Sequence, residues 1–248
     1  MKPVFILIIL FFSFGSIAQE LQGAWKLIEE NGNKLTDKEV IKIYQDGYFS
    51  YGAKEKDTNK FLEAGGGEFS SNPTVETSYI ETYDFHTGNP ELVGTDKTYS
   101  LTIKNDTLTL LSSDNNTQVW ERISNREDEL SGNWVITGRK RDGELNKMTP
   151  GARRTIKILG GGRFQWVAFN SETKEFSGSG GGTYTAENGK YVENIEFFSR
   201  DDNRVGAHLE FNFEVQDGDW HHSGKSSKGD PIHEIWSPYK EAYLKKVQ

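Results

Sequence analysis

The chain has 248 residues, 34% of them hydrophobic and 12% aromatic, with 26 glycines, no cysteine and a formal net charge of −8 at pH 7. Such a mix suits short strands and tight turns rather than a helical bundle. The acidic balance disfavours nucleic acid and anionic membrane surfaces as partners, and without Cys there can be no disulfide and no cysteine-linked lipid anchor.

Residues 1–18 have the pattern of a secretory signal peptide. Lys2 is a minimal positive region, residues 4–14 form an apolar run, and Ser16 and Ala18 place small side chains at −3 and −1 of a cleavage site after Ala18. A membrane span needs roughly 18–20 apolar residues, which neither this run nor any later one supplies. The mature protein is therefore expected to be periplasmic or secreted, with no membrane span.

The mature chain reads as strands almost throughout. The first candidates are 24–29, 40–44, 48–53, 60–70, 76–85, 96–104, 107–111 and 118–123, with 34–38 either a short helix or a long turn. A polar, charged linker follows at 124–129. The pattern then begins again with 134–140, 154–159, 163–169, 174–185, 190–198, 207–215, 219–222 and 232–238, and 144–149 is the second helix-or-turn segment. Turn signals such as Asn188-Gly189 and Asp217-Gly218 punctuate the second set. Leu209, Phe211, Phe213 and Val215 alternate with His208, Glu210, Asn212 and Glu214, the period of a half-buried antiparallel strand.

The recurrence is an internal repeat. Residues 41–69 align without a gap on 156–184 with eleven of twenty-nine columns identical, where roughly two would be expected by chance. Leu21-Gln-Gly-Ala-Trp25 and Leu130-Ser-Gly-Asn-Trp134 open the copies, and Trp120 and Trp236 close them. The copies, 19–124 and 129–248, are each the size of an ordinary domain. Eight consecutive antiparallel strands favour an up-and-down barrel, because closure removes the exposed sheet edges. The expected fold is all-β: two tandem antiparallel eight-stranded barrels.

Gly23-Ala24-Trp25 and Gly132-Asn133-Trp134, each at the start of a first strand, resemble the Gly-x-Trp signature of the lipocalin and fatty-acid-binding (calycin) superfamily. More narrowly, the chain is similar to the uncharacterised lipocalin-like secreted proteins of bacteria, here in tandem, over nearly all of its mature length. The resemblance implies that Trp25 and Trp134 plug the closed ends of lipocalin-like barrels, each against its last strand, with Trp120 a further structural residue of the first barrel. In fatty-acid-binding proteins the residue two before the last-strand aromatic is typically an Arg that holds the ligand carboxylate. Here it is Gln118 in one copy and Glu234 in the other, which disfavours a fatty acid.

No set of residues can be nominated as catalytic. The triple glycines, Gly65-Gly66-Gly67 and Gly180-Gly181-Gly182, are followed by strand sequence rather than a helix, so a bend or bulge is favoured over a phosphate cradle. His221-His222 points to opposite faces of a strand, and no metal site or cofactor is expected. What remains is the barrel interior. Repeat alignment sets Trp166 against Tyr51, Trp220 against Leu108, His222 against Leu110, Glu234 against Gln118, and Glu196 against Glu81. The expected ligand-lining residues are Trp166, Trp220, His222, Glu234, Trp236 and Glu196, the alternative being that these strand faces meet water.

Three functions are compatible with this pattern. One is a secreted binding module holding a small neutral, aromatic or polyhydroxylated ligand, above all in the second barrel. Another is an envelope protein with solid barrels that contacts a protein or glycan. The third is an isomerase- or lyase-type enzyme that moves a proton with Glu196, His222 or Glu234. An open interior of roughly 300 Å3 or more would favour the first.

Overall fold

The computed structural model describes residues 17–72, 74–75, 77–141, 143–226 and 229–244. The apolar run at 4–14 expected to form a signal peptide lies outside them, while Ala18 falls in a short helix, α1 (Ile17–Leu21). Two closed antiparallel barrels follow. The first comprises β1 (Gly23–Glu30), β2 (Asn33–Lys34), β3 (Lys38–Gln45), β4 (Tyr48–Glu55), β5 (Phe61–Ser71), β6 (Ser78–His86), β7 (Asp96–Lys104), β8 (Thr107–Ser112) and β9 (Thr117–Ser124). The second comprises β10 (Gly132–Arg141), β11 (Glu144–Lys147), β12 (Arg153–Gly160), β13 (Arg163–Asn170), β14 (Glu175–Glu187), β15 (Lys190–Phe198), β16 (His208–Gln216), β17 (Asp219–Lys225) and β18 (Pro231–Pro238). Strands run in sequence order, and β9 and β18 pair back onto β1 and β10 to close each eight-stranded ring. Neither segment weighed as helix or turn is helical: 34–38 is mainly a loop between β2 and β3, most of 144–149 is β11, and β2 and β11 are short extra strands folded onto β1 and β10.

Local sequence explains the corners. At Asp217-Gly218 both residues have positive φ (54° and 86°), the backbone of a two-residue hairpin whose twist matches its strands. The triple glycines are bulge sites, with register shifts between Gly66 and Gly67 and between Gly181 and Gly182. A Cβ at Gly182 would lie 1.9 Å from the Asn194 carbonyl oxygen, so only glycine permits that approach of strands.

Trp25 and Trp134 are buried near the starts of β1 and β10. Trp25 Nε1 donates to the Leu21 carbonyl (2.7 Å), and the Arg122 guanidinium of β9 lies 4.0 Å over its ring. Trp134 Nε1 donates to the Leu130 carbonyl (2.9 Å), but its ring packs edge-on against Trp220 of β17, and its partner across β18 is Pro238. Trp120 lies one layer further in, paired with Leu27.

The barrels share a third hydrophobic cluster. It joins the outer faces of the two copies: Ile43, Tyr48, Ala64 and Phe85 meet Val135, Ile156, Ile158, Val167, Phe169 and Tyr239. The rings of Phe61 and Phe176, equivalent positions of the repeat, stack directly on each other (6.3 Å, 2°). That is the arrangement of an isologous dimer interface, here within one chain. Arg154 crosses the junction to Asp84 (2.8 Å), which also accepts from the hydroxyls of Tyr48 and Tyr239.

Candidate ligand cavity in the second barrel

Alternate residues of each barrel strand face inward. In the second barrel the inner face is built on Lys157 of β12, Phe164 and Trp166 of β13, Tyr191 and Glu193 of β15, Phe211 of β16, Trp220 and His222 of β17, and Glu234 and Trp236 of β18. Strand pairing fixes the layers: Trp220 opposes Trp236 on the side of Trp134, and His222 opposes Glu234 one step above.

The lower layer is organised by a buried ion pair. Lys157 Nζ lies 2.7 Å from Glu193 Oε1, and neither side chain is more than 6% exposed. The ammonium sits 5.2–5.3 Å from the ring centroids of Tyr191, Trp220 and Trp236. Tyr191 adds a hydroxyl bond to Glu193 (2.9 Å). Such a charge is tolerable in an interior because carboxylate, hydroxyl and ring faces together replace its water.

Above this layer lies a cavity of about 320 Å3, bounded by Trp166, Phe198, Phe211, His222, Glu234 and Trp236 among others, with Arg139 at its side. Glu234 Oε2 accepts from Trp236 Nε1 (3.2 Å) and His222 Nδ1 (3.4 Å), and Oε1 is 3.2 Å from Arg139 Nε. Burial alone would raise the Glu234 pKa. The His222 hydrogen bond, the His222 charge when that ring is protonated, and the nearby positive charges of Lys157 and Arg139 outweigh it and hold the carboxyl at about 2. Burial, with the nearby Lys157 charge, lowers the His222 pKa, so its imidazole is neutral at pH 7. Three buried polar atoms here make no hydrogen bond among the described residues: His222 Nε2, Trp220 Nε1 and Arg139 Nε, the last of which still has its ion pair with Glu234.

In the first barrel the equivalent space is smaller. Lys42 and Glu81 form the equivalent buried pair (2.5 Å), and hydroxyls of Tyr44, Tyr79 and Tyr83 crowd onto that carboxylate. Burial, with the negative charge of Glu81, pushes the Tyr44 and Tyr79 hydroxyls well above their ordinary pKa. Leu108 and Leu110 replace Trp220 and His222, and the remaining space is about 170 Å3. At its mouth His86 accepts from the Asn89 backbone and meets the Tyr51 hydroxyl at 2.9 Å.

Trp166, His222, Glu234 and Trp236 are thus brought together around one cavity, while Trp220 is fully buried beneath it. Glu196 is not with them. It lies on the outer face, ion-paired with Arg163. The interior counterpart of Glu81 is Glu193, because Tyr79 and Tyr191 occupy matching places opposite Tyr99 and Phe211. The hairpin before β6 is three residues longer than the one before β15, which breaks the constant offset of the repeat. Lys157, Glu193 and Arg139 carry no expectation from sequence, although Lys42 and Lys157 are identical in the aligned segment. Among the described residues no group of three or more His, Asp or Glu is placed to hold a metal, and no helix is long and apolar enough to cross a membrane. No protein-family model matches the sequence, and no curated protein shows significant similarity to it.

Proposed function

We propose that this is an exported, lipocalin-like binding protein whose second barrel holds a small neutral ligand with aromatic or polyhydroxylated character. The observation that carries the reading is the cavity of about 320 Å3, walled by aromatic rings and floored by an ion pair. Its size falls at the lower end of the range for small-molecule sites. The doubled Gly-x-Trp motif with its buried tryptophans supports kinship with lipocalins. The apolar run at 4–14 supports export. The first barrel serves mainly as a packed partner, since its interior charge is already enclosed by three tyrosine hydroxyls.

Native mass spectrometry of the protein taken from its own envelope tests the reading. A bound small molecule released on denaturation is the expected result. A chain that emerges bare, and takes up no member of a panel of neutral aromatic and sugar-like compounds, would leave the solid-barrel alternative standing instead.

A further inference from the structure

The cavity's own polar groups specify its ligand more narrowly. Its cations and anions are matched in pairs: Lys157 with Glu193 at 2.7 Å, and Arg139 with Glu234 at 3.2 Å. A ligand carboxylate would find no unmatched cation there and a ligand amine no unmatched anion, so either would bring a charge into an apolar site without compensation. The ligand is therefore neutral.

Among the buried atoms of that wall without a hydrogen bond, Arg139 Nε is a donor already ion-paired with Glu234, which leaves one acceptor. His222 is 2% exposed and lines the cavity, and its Nε2 has no partner among the described residues. Its other nitrogen faces the Glu234 carboxylate, which can only accept, so the hydrogen of the neutral ring resides on Nδ1. Nε2 is left as a buried lone pair, an acceptor that needs a donor. Trp220, two residues earlier on the same face with its ring 5.2 Å away, has the opposite deficit, an indole N–H without an acceptor. Water or a ligand hydroxyl can supply the donor that His222 Nε2 lacks, whereas a hydrocarbon cannot; Trp220 itself lies beneath the cavity, outside its lining. The rings of Trp166, Phe198, Phe211 and Trp236 around the same space favour a flat apolar body.

We propose that the second barrel selects neutral aromatic alcohols, with the hydroxyl donating to His222 Nε2 and the ring lying among the cavity's aromatics. This rests on the binding reading above. Equilibrium dialysis of the whole chain at pH 7 against 2-naphthol, naphthalene and 2-naphthoate tests it. Expected are at least tenfold tighter binding of 2-naphthol than of naphthalene, no measurable binding of 2-naphthoate, and loss of the hydroxyl's advantage in His222→Phe. Nitrogen-15 NMR of the wild-type His222 ring supplies a readout independent of that variant: the Nδ1–H tautomer, with Nε2 shifting as it accepts a hydrogen bond from added 2-naphthol. Equal affinity for naphthol and naphthalene, or an Nε2–H tautomer, overturns the hydroxyl assignment while leaving aromatic binding intact. Tighter binding of 2-naphthoate overturns the charge-matching argument. Failure of all three probes to bind overturns this inference and counts against an aromatic-binding site altogether.

Discussion

Lys157→Met is the most discriminating perturbation of the second barrel. It removes the ammonium 2.7 Å from Glu193 and leaves a carboxylate, 6% exposed, with the hydroxyl of Tyr191 as its one remaining hydrogen-bond partner among the described residues. Breaking a buried pair from one side costs about 3–5 kcal/mol, whereas replacing both partners with apolar groups of similar volume is often neutral or stabilising. Lys157→Met with Glu193→Leu should therefore regain most of what the single change loses. Tyr191→Phe belongs in the same set of variants, because an orphaned buried hydroxyl costs about 1–3 kcal/mol by itself. Urea denaturation of the wild type, the singles and the combined variant, compared at a common slope, reads the coupling directly. A loss below about 1 kcal/mol in Lys157→Met would mean that Glu193 is solvated in the folded chain, and the idea of a dry ion-pair layer would fail.

Trp134→Ala should cost about 3–5 kcal/mol, since it removes a buried indole, its bond to the Leu130 carbonyl and its contact with Trp220; a denaturation midpoint close to wild type would contradict this. Proteolytic cleavage within 125–129 should leave both halves eluting together in gel filtration, held by the Phe85–Phe169 and Arg154–Asp84 contacts, and separate elution would show the junction to be weak. The Glu234 carboxyl, lowered from 4.5 to about 2 in the folded chain, contributes stability that is present above about pH 4.5 and lost as pH falls towards 2. At 1.36 kcal/mol per unit the contribution is on the order of 3 kcal/mol. The gap between wild type and Glu234→Gln, measured by denaturation at several pH values, should narrow over that window, and a constant gap would refute it.

Strand parity and the repeat make the rings legible from residues alone. The alternation at 208–215 and the matching of Leu108 to Trp220 and Leu110 to His222 follow from a period of two that the barrel obeys. The β6 and β15 strands escape that matching because a difference in hairpin length has no signature in a gap-free alignment that ends before the hairpin. The Lys42 and Lys157 positions are hidden for another reason. Both lie in Ile-Lys-Ile, where alternation puts the lysine outside and the isoleucines in the barrel. Ile43, Ile156 and Ile158 are indeed buried, but in the contact between the barrels. A strand whose two faces are both covered loses the polarity signal that periodicity depends on.

That contact between equivalent faces also bears on how the two interiors could come to differ. A symmetric homodimer of one barrel would repeat every interior substitution in both subunits. A second barrel with an orphaned imidazole nitrogen and an orphaned indole N–H would then impose those defects twice. Within one chain the cost falls on a single interior, while the neighbour, whose buried carboxylate is enclosed by tyrosine hydroxyls, is locked against it through Phe61 and Phe176. Proteins tolerate a destabilised site only while total stability stays above threshold. The tandem architecture lets one half carry the margin and the other spend it.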